Sequence, residues 1–254
     1  MTLGLPISTM LAFLLVLTRV GAFVAFLPGP VLRAAPNAAQ VVLAMAITFA
    51  LFPFWPNLPN EVPSIGRLLS WAFGEAGFGL AVGLAVSFLM EGFQVAMQLI
   101  GLQAGYGYSQ TMDPTSQSDS GVLQVIVSLA ATLLFFVMGF DRQLIRILAV
   151  NLQRFPAGSW TPSAASLDGV VRLGSGMLSF GLRLALPVIG LLLLLDLALA
   201  LLGRMQQQLQ LLSLAFPAKM LATLLILAAL SPVMPRIFAA AAERTMNMLW
   251  GLLA

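Results

Sequence analysis

Residues 101–121, GLQAGYGYSQTMDPTSQSDSG, form the longest clearly polar run in a chain of 254 residues that is 60% hydrophobic. Long apolar segments flank this run on both sides. A loop rich in Gly, Ser, Thr and Gln cannot lie in lipid, because its backbone groups would find no hydrogen-bond partners there. We therefore expect the run to face water, or to be held inside protein around a cavity.

The overall composition indicates the class of protein. Only 8% of the residues are charged and the mean hydropathy is +0.99, whereas about 25% of the residues of a soluble domain are charged. Several apolar runs approach the length of about 20 residues that an α-helix needs to cross the hydrocarbon core. We predict an all-α membrane protein.

Missing residue types and motifs exclude several kinds of site. The chain has no cysteine and no histidine, so it lacks thiolate ligands, disulfides and the commonest general base. The basic residues are scattered singly and the net charge is only +3, which disfavours nucleic acid as a partner. No Walker, HExxH, GxSxG or dinucleotide-binding motif occurs. We predict no catalytic residue, no metal and no cofactor.

The apolar segments predict a series of helices separated by Pro- and Gly-rich breaks. Two of them, Leu68–Ile100 and Val170–Gly203, are longer than one straight span requires, and Pro187 should kink the second or end a helical turn there. We expect long kinked helical hairpins, with a Gln-rich turn at the tip of the last one and a division at residues 156–168. The remaining predicted helices are Ile7–Leu27, Ala38–Phe52, Gly121–Phe140 with an amphipathic continuation to about residue 155, Leu211–Leu230 and Arg236–Ala254.

Arg19 lies inside the first predicted helix, and two interpretations of it remain open. A side chain near the helix end can extend to the interface and keep its charge in water. An arginine at membrane depth otherwise faces protein or a water-filled space.

The long helix before the polar run carries two patterns. Small residues at 74, 77, 79 and 83 predict a face that another helix can approach closely. Glu91, Gln94 and Gln98 follow the spacing i, i+3, i+7 and share one face, and Glu75 could fall near the same side. This stripe is either a solvated helix end or the wall of a wet passage. We favour the passage, because the stripe leads directly into the polar run.

Charged residues inside the apolar segments suggest two other functions. A secondary transporter would use a polar site at the membrane midplane, formed from broken helices and intramembrane charges. Its candidate residues are Glu75, Glu91, Arg183 and Asp196. A membrane protease would pair Asp141 with Asp196, which we disfavour because single aspartates in such positions usually pair with arginines.

Several short motifs follow one another along the chain. They are Arg19 with Pro28-Gly29-Pro30, Glu91-Gly92, Gln103-Ala104-Gly105, Asp113-Pro114, Gly139-Phe140-Asp141, Phe155-Pro156, Ala185-Leu186-Pro187 and residues 196–204. Their order resembles one family, the FliR proteins of the flagellar export gate, which are equivalent to the SctT proteins of injectisomes.

Two positions depart from the family pattern. Gly139-Phe140-Asp141 stands where the family often has Gly-x-His, so no histidine role carries over. Gln207, Gln208 and Gln210 stand where the family tends to have Pro and Asn.

The resemblance implies a composite organisation. Residues 206–219 are similar to the loop of the small Q-type gate subunit, and an R-type chain is like a P-type subunit joined to a Q-type hairpin. Residues 1–155 would then be the P-type-like part, residues 156–168 the linker, and residues 169–254 the Q-type-like hairpin with a C-terminal amphipathic helix.

The resemblance also implies a function. The protein would be a non-enzymatic core subunit of the P-Q-R complex of the flagellar type III secretion system, in the basal body at the bacterial inner membrane. It would form and plug the protein-conducting channel, with much of the complex on the periplasmic side. The implied partners are the P-type and Q-type subunits FliP and FliQ, the B-type switch protein FlhB, the A-type protein FlhA, secreted unfolded proteins and membrane lipid.

Two groups of residues acquire roles through this resemblance. The first is a plug that projects into the channel between Gly105 and Gln117, in which Asp113 and Pro114 form a turn. Its members are Gly105, Tyr106, Gly107, Tyr108, Met112, Asp113 and Pro114. The second group is a turn at the cytoplasmic entrance of the channel. Its members are Arg204, Gln206, Gln207, Gln208, Gln210, Phe216, Pro217 and Lys219.

The side of the membrane on which this turn lies is predicted differently by two arguments. With straight alternating spans, the positive-inside rule places the Gln-rich turn away from the cytoplasm. The resemblance places it at the cytoplasmic entrance. We favour the resemblance, because overlong kinked segments do not satisfy the rule's premise of straight, lipid-exposed spans.

Overall fold

The computed structural model describes residues 6–27, 36–58, 63–106, 122–156, 158, 164–205 and 211–252. Regular structure in these ranges is helical throughout, with a single 3-10 turn at Phe52–Phe54, so the prediction of an all-α protein is confirmed. The α-helices of these ranges are α1 Ile7–Ala25, α2 Asn37–Ala50, α3 Ile65–Ala104, α4 Val122–Val137, α5 Phe140–Arg154, α6 Ala164–Met205, α7 Leu211–Leu230 and α8 Met234–Leu252.

Three of these helices are long and apolar enough to cross a membrane. They are Ile7–Ala25, Ile65–Ala104 and the Leu167–Arg204 part of α6. Two bent pairs would each make a further broken span: α4 with α5, bent by 60°, and α7 with α8, bent by 68°. The described part of the chain therefore holds three to five possible spans.

The helix boundaries follow from local residue chemistry. Pro6 and Pro36 precede α1 and α2 with extended backbone. Gly139, in the left-handed region at φ +72°, separates α4 from α5, and Asp141 then lies in the first turn of α5, where a negative charge complements the helix dipole. Pro187 does not end α6, which continues on both sides of it to Met205.

The described residues group into two compact units, each assembled from distant segments. The first comprises Met1–Leu89, Phe135–Gly174 and Ala242–Ala254, and the second comprises Met90–Leu134 and Ser175–Ala241. The long helices α3 and α6 contribute residues to both. The predicted division into a P-type-like part and a Q-type-like part rests on family resemblance along the sequence, not on spatial contacts, and stays a prediction.

A buried charge network joins three helices in the first unit. Arg19 of α1 is fully buried. Its Nε donates to Glu75 Oε2 of α3, and its Nη1 donates to Asn151 Oδ1 of α5 at 2.6 Å. Its Nη2 also lies 3.5 Å from the Phe155 carbonyl oxygen. The interpretation of Arg19 as a side chain that extends to the interface is wrong, and the protein-facing interpretation is confirmed.

Glu75 is the counter-ion of Arg19 and is itself fully buried. Its second oxygen accepts a hydrogen bond from the Gly158 N–H at 2.9 Å. The Phe78 ring lies under the guanidinium, with its centroid 4.8 Å from Arg19 Cζ, in the range of a cation–π contact. The expectation that Glu75 shares a wet face with Glu91 is wrong, because the Glu75 carboxylate is occupied by Arg19 and Gly158 and is closed to solvent.

Two glycines of α3 let α1 lie directly against it. A Cβ at Gly79 would lie 2.0 Å from the Arg19 carbonyl oxygen, and one at Gly83 would lie 2.8 Å from Phe26 Cβ. These distances leave no room for a side chain at either position. The predicted small-residue face is confirmed at Gly79 and Gly83, and the close approach brings Arg19 within reach of Glu75.

We expect the variant Glu75→Leu to be strongly destabilised, because a buried charge that loses its partner costs about 3–5 kcal/mol. The thermal unfolding midpoint of the detergent-purified protein should fall by on the order of 10 °C. The matched control is Asp168→Asn, which breaks the exposed Arg172–Asp168 pair at 2.7 Å and should cost at most about 1 kcal/mol. Equal falls in the two midpoints would contradict a central role for the Arg19–Glu75 pair.

We expect Gly79→Ala and Gly21→Ala to shift the unfolding midpoint in opposite directions. The added methyl at Gly79 meets the α1 backbone, whereas nothing lies within 4 Å of the corresponding position at Gly21. Overpacking at Gly79 should cost at least about 1–3 kcal/mol, and the higher helix propensity of Ala at Gly21 should stabilise by up to about 1 kcal/mol. Similar midpoints in the two variants would refute the close approach of α1 and α3.

Candidate functional site

The end of α3, the second half of α6 and the first half of α7 meet within the second unit. Here α3, the helix that leads into the polar run, contacts both α6 and α7. Six residues make the contacts at this point, and we call them the helix-end junction. They are Gln103, Gly105, Tyr106, Asp196, Phe216 and Lys219.

Gly105 ends α3 in a closed hydrogen-bonded motif. Its φ of +88° is left-handed, its N–H donates to the Leu102 carbonyl at 3.2 Å, and the Tyr106 N–H donates to the Gly101 carbonyl at 3.0 Å. This pair of bonds is the Schellman motif, in which glycine is favoured because it has no Cβ. The motif fixes the direction in which the chain leaves α3.

The start of the predicted plug packs against the first half of α7. A Cβ at Gly105 would lie 2.8 Å from Phe216 Cδ1, so the aromatic ring occupies the place where any other residue would carry a side chain. The Tyr106 hydroxyl donates to the Met220 carbonyl at 3.3 Å. Glycine is therefore required at position 105 for two independent reasons, its backbone conformation and its contact with Phe216.

Asp196 is the charged centre of the helix-end junction. Its Oδ1 lies 2.9 Å from Lys219 Nζ. Its Oδ2 accepts hydrogen bonds at 3.0 Å from both Lys219 Nζ and Gln103 Nε2. The side chains of Lys219 and Asp196 are 15% and 38% exposed, so water screens the pair only in part. One carboxylate thereby links three helices.

An apolar cluster supports this charged centre. Its buried members come from α3 and α6, and side chains of α7, together with Tyr106, pack against it. The buried members are Ala96, Met97, Ile100, Ala104, Ala185, Val188 and Leu192. Burial raises the pKa of the Tyr106 hydroxyl above its ordinary value.

The predicted plug and stripe are covered by the structure only in part. Gly105 and Tyr106 lie in the helix-end junction. Glu91 and Gln94 are half-buried and Gln98 is exposed, so the lumen-facing role of the stripe stays a prediction. The remaining predicted plug residues, Gly107, Tyr108, Met112, Asp113 and Pro114, lie outside the described residues.

The predicted entrance turn is likewise covered in part. Phe216 and Lys219 are half-buried in the helix-end junction, whereas Arg204 and Pro217 are exposed. Gln206, Gln207, Gln208 and Gln210 lie outside the described residues. The structure thus places Gly105 and Tyr106, the first residues of the predicted plug, beside the α7 segment that holds Phe216 and Lys219 of the predicted entrance turn.

The sequence contains a signal for the Asp196–Lys219 pair that the analysis of motifs missed. Asp196 lies ten residues before Gln206, and Lys219 lies nine residues after Gln210. In a helical hairpin whose tip is the Gln-rich turn, these nearly equal separations place the two opposite charges at the same level. Gln103 had no such signal, since it lies 93 residues from Asp196.

The contacts of the charged residues disfavour the two alternative functions, a secondary transporter and a membrane protease. Glu75 and Asp196, two of the four charges assigned to a transporter site, are occupied by Arg19 and Lys219 respectively. Asp196 is also one of the two aspartates assigned to a protease. Across the described residues, no group of three or more His, Cys, Asp or Glu side chains comes together in a way that could hold a metal ion.

Comparison with known proteins identifies the family. The family model described as bacterial export proteins, family 1, matches residues 10–245. The chain belongs to this family. It is therefore a component of a bacterial export apparatus, and the resemblance drawn from the short motifs is confirmed.

Individual proteins similar to this chain carry the names FliR and SpaR. The flagellar biosynthetic protein FliR of Escherichia coli K12 is 34% identical over 218 residues, covering 85% of this chain and 83% of that protein. FliR of Aquifex aeolicus VF5 is 28% identical over 192 residues, covering 76% and 74%. The surface presentation of antigens protein SpaR of Salmonella typhimurium LT2 is 26% identical over 218 residues, covering 84% and 79%.

We expect Asp196 and Lys219 to be energetically coupled. The variants Asp196→Asn, Lys219→Met and their combination form a double-mutant cycle, and the unfolding midpoints should yield a coupling energy of about 0.5–3 kcal/mol. The same cycle on the exposed Asp168–Arg172 pair, a helical i, i+4 contact, should yield about 0.3–0.5 kcal/mol. Additive effects of the Asp196 and Lys219 substitutions would show that the pair does not hold the junction together.

Proposed function

We propose that this chain is a core subunit of the export gate of a flagellar type III protein secretion system, and that it forms part of a protein-conducting channel at the inner membrane. Membership of the bacterial export family and the similarity to FliR proteins along most of the chain support this function. Three to five possible membrane spans agree with the location. The similarity to SpaR extends the comparison to a protein whose name is not flagellar.

Within the gate, residues 105–117 act as the plug of the channel. The observation that carries this proposal is the anchoring of Gly105 and Tyr106 against Phe216 and Met220. A polar, Gly-rich segment can block a channel only if it is held at a defined place, and a Schellman end fixed by an aromatic ring supplies a rigid base. Tyr108 and Met112 provide the bulk that fills the lumen at rest, and Tyr106 anchors the plug at its base.

The helix-end junction positions the plug relative to the channel entrance. Asp196 links Gln103, two residues before Gly105, to Lys219 on α7. The Gln-rich turn between α6 and α7 forms the cytoplasmic entrance of the channel. Movement of α7 relative to α6 therefore changes the support of the plug, which gives a partner bound at the entrance a mechanical route to it.

The partners of this gate are other subunits of the same apparatus. We propose the P-type and Q-type subunits FliP and FliQ as the members of a P-Q-R complex, with FlhB and FlhA next to the entrance and unfolded secreted proteins as cargo. Much of the complex then lies on the periplasmic side. The subunit acts as a structural gate and not as an enzyme, so the energy for export comes from other components.

We expect deletion of residues 106–119 to make the inner membrane permeable to small solutes when the complex is expressed, because the bulk that fills the lumen is removed. Influx of a small impermeant solute into cells measures the effect. Replacement of the same residues by an equal number of Gly and Ser residues is the matched control for chain length and should also leak. Permeability equal to that of the wild type, in a complex that still co-purifies with its P-type and Q-type partners, would disprove the plug.

A further inference from the structure

Helix α6 presents an apolar surface that the other described residues leave uncovered. In the most apolar stretch of its Leu167–Arg204 span only 17% of the residues are buried, compared with 56% in the corresponding stretch of α3. Large side chains such as Leu178, Leu182 and Leu186 are 57%, 48% and 53% exposed. Lipid or other apolar helices must cover this surface in the cell.

Arg183 lies near the middle of the same apolar stretch of α6, on a face that is also exposed. Within the described ranges it forms no hydrogen bond or ion pair, in contrast to the paired Arg19, Glu75 and Asp196 of the possible spans. A lone arginine in such an apolar stretch is unfavourable in hydrocarbon, and such residues normally face protein and pair with an opposite charge. No described residue of this chain supplies the counter-charge, which raises the question of what does.

Small residues surround Arg183 on its own face of α6. Gly176 and Gly190 lie seven residues to either side of it, and Ser179 lies one turn before it, so all of them project to nearly the same side of the helix. All three are exposed, and a Cβ at Gly176 or Gly190 would meet nothing within 4 Å. Gly176, Ser179, Arg183 and Gly190 together form what we call the Arg183 face.

We propose that the Arg183 face receives an apolar helix of another export subunit, and that this helix carries a carboxylate paired with Arg183. Carboxylate is the favoured partner because it can accept two parallel hydrogen bonds from a guanidinium. The two glycines let the backbone of an incoming helix come close to α6. A flexible lipid chain gains little packing energy from the absence of side chains at these glycines, whereas a helix gains close backbone contact. The Arg183 face therefore favours a protein helix over lipid as its occupant.

This proposal rests on the assembly of the chain with other subunits and adds the surface and the chemistry of one contact. The first experiment measures which export subunits co-purify with the tagged chain from membranes. Arg183→Glu should lower their yield by about tenfold or more, because a buried acidic pair would replace an ion pair. Arg183→Lys, which keeps the charge, should reduce the yield much less. The matched control Arg172→Glu, at an exposed arginine of the same helix, should leave it unchanged.

A second experiment identifies the occupant directly. A photo-crosslinking amino acid at Ser179, on the Arg183 face, should form an adduct with another export subunit. The same probe at Leu178, which is exposed but points about 140° away from Arg183 around the helix, should react with lipid. Exchanging the carboxylate of the captured helix for arginine should restore the co-purification lost in Arg183→Glu, which also excludes misfolding as the cause of the loss.

Each outcome decides between the alternatives. An adduct at Ser179 with phospholipid alone would assign Arg183 to a lipid headgroup and overturn the proposal, as would a normal subunit yield in Arg183→Glu. Failure of the wild-type chain to co-purify with any export subunit would instead refute the proposed function. Protein adducts together with rescue by charge exchange would establish the contact.

Discussion

The buried pair of Arg19 and Glu75 is the constraint on which the first unit depends. Two charges removed from water require opposite charge and hydrogen bonds from every side, and α1, α3, α5 and the turn at Gly158 supply them. Close packing of α1 on α3 at Gly79 and Gly83 follows from the same requirement, since a guanidinium cannot reach a carboxylate across a wider gap. Electrostatics and glycine spacing thus specify one arrangement of these helices.

The second unit uses the same principle at its charged centre with greater exposure to water. Asp196 links α3, α6 and α7 through Gln103 and Lys219, but its side chain remains 38% exposed. A partly hydrated ion pair can break and form again at a lower free-energy cost than a dry one. The helices that we propose to carry the plug and the entrance are therefore joined by the weaker of the two pairs, which agrees with a proposed gate.

Properties set by neighbouring residues were predictable, whereas contacts between distant residues were not. Apolar runs and their flanking prolines predicted α1 and α7 closely, because helix length and helix ends depend on local chemistry. Arg19 could be recognised as unusual, but Glu75 and Asn151 lie 56 and 132 residues away and no periodicity connects them. At the site, Gly105 was named through the family resemblance. Its contact with Phe216 depends on how α7 packs and could not be derived from local pattern.

The near symmetry of Asp196 and Lys219 about residues 206–210 has a consequence for changes in helix length. The ion pair between these side chains fixes the register of α6 against α7. An insertion or deletion of one residue within either helix, between its charge and residues 206–210, would rotate that charge by about 100° away from its partner. Substitutions that keep the chain length leave both charges at their level.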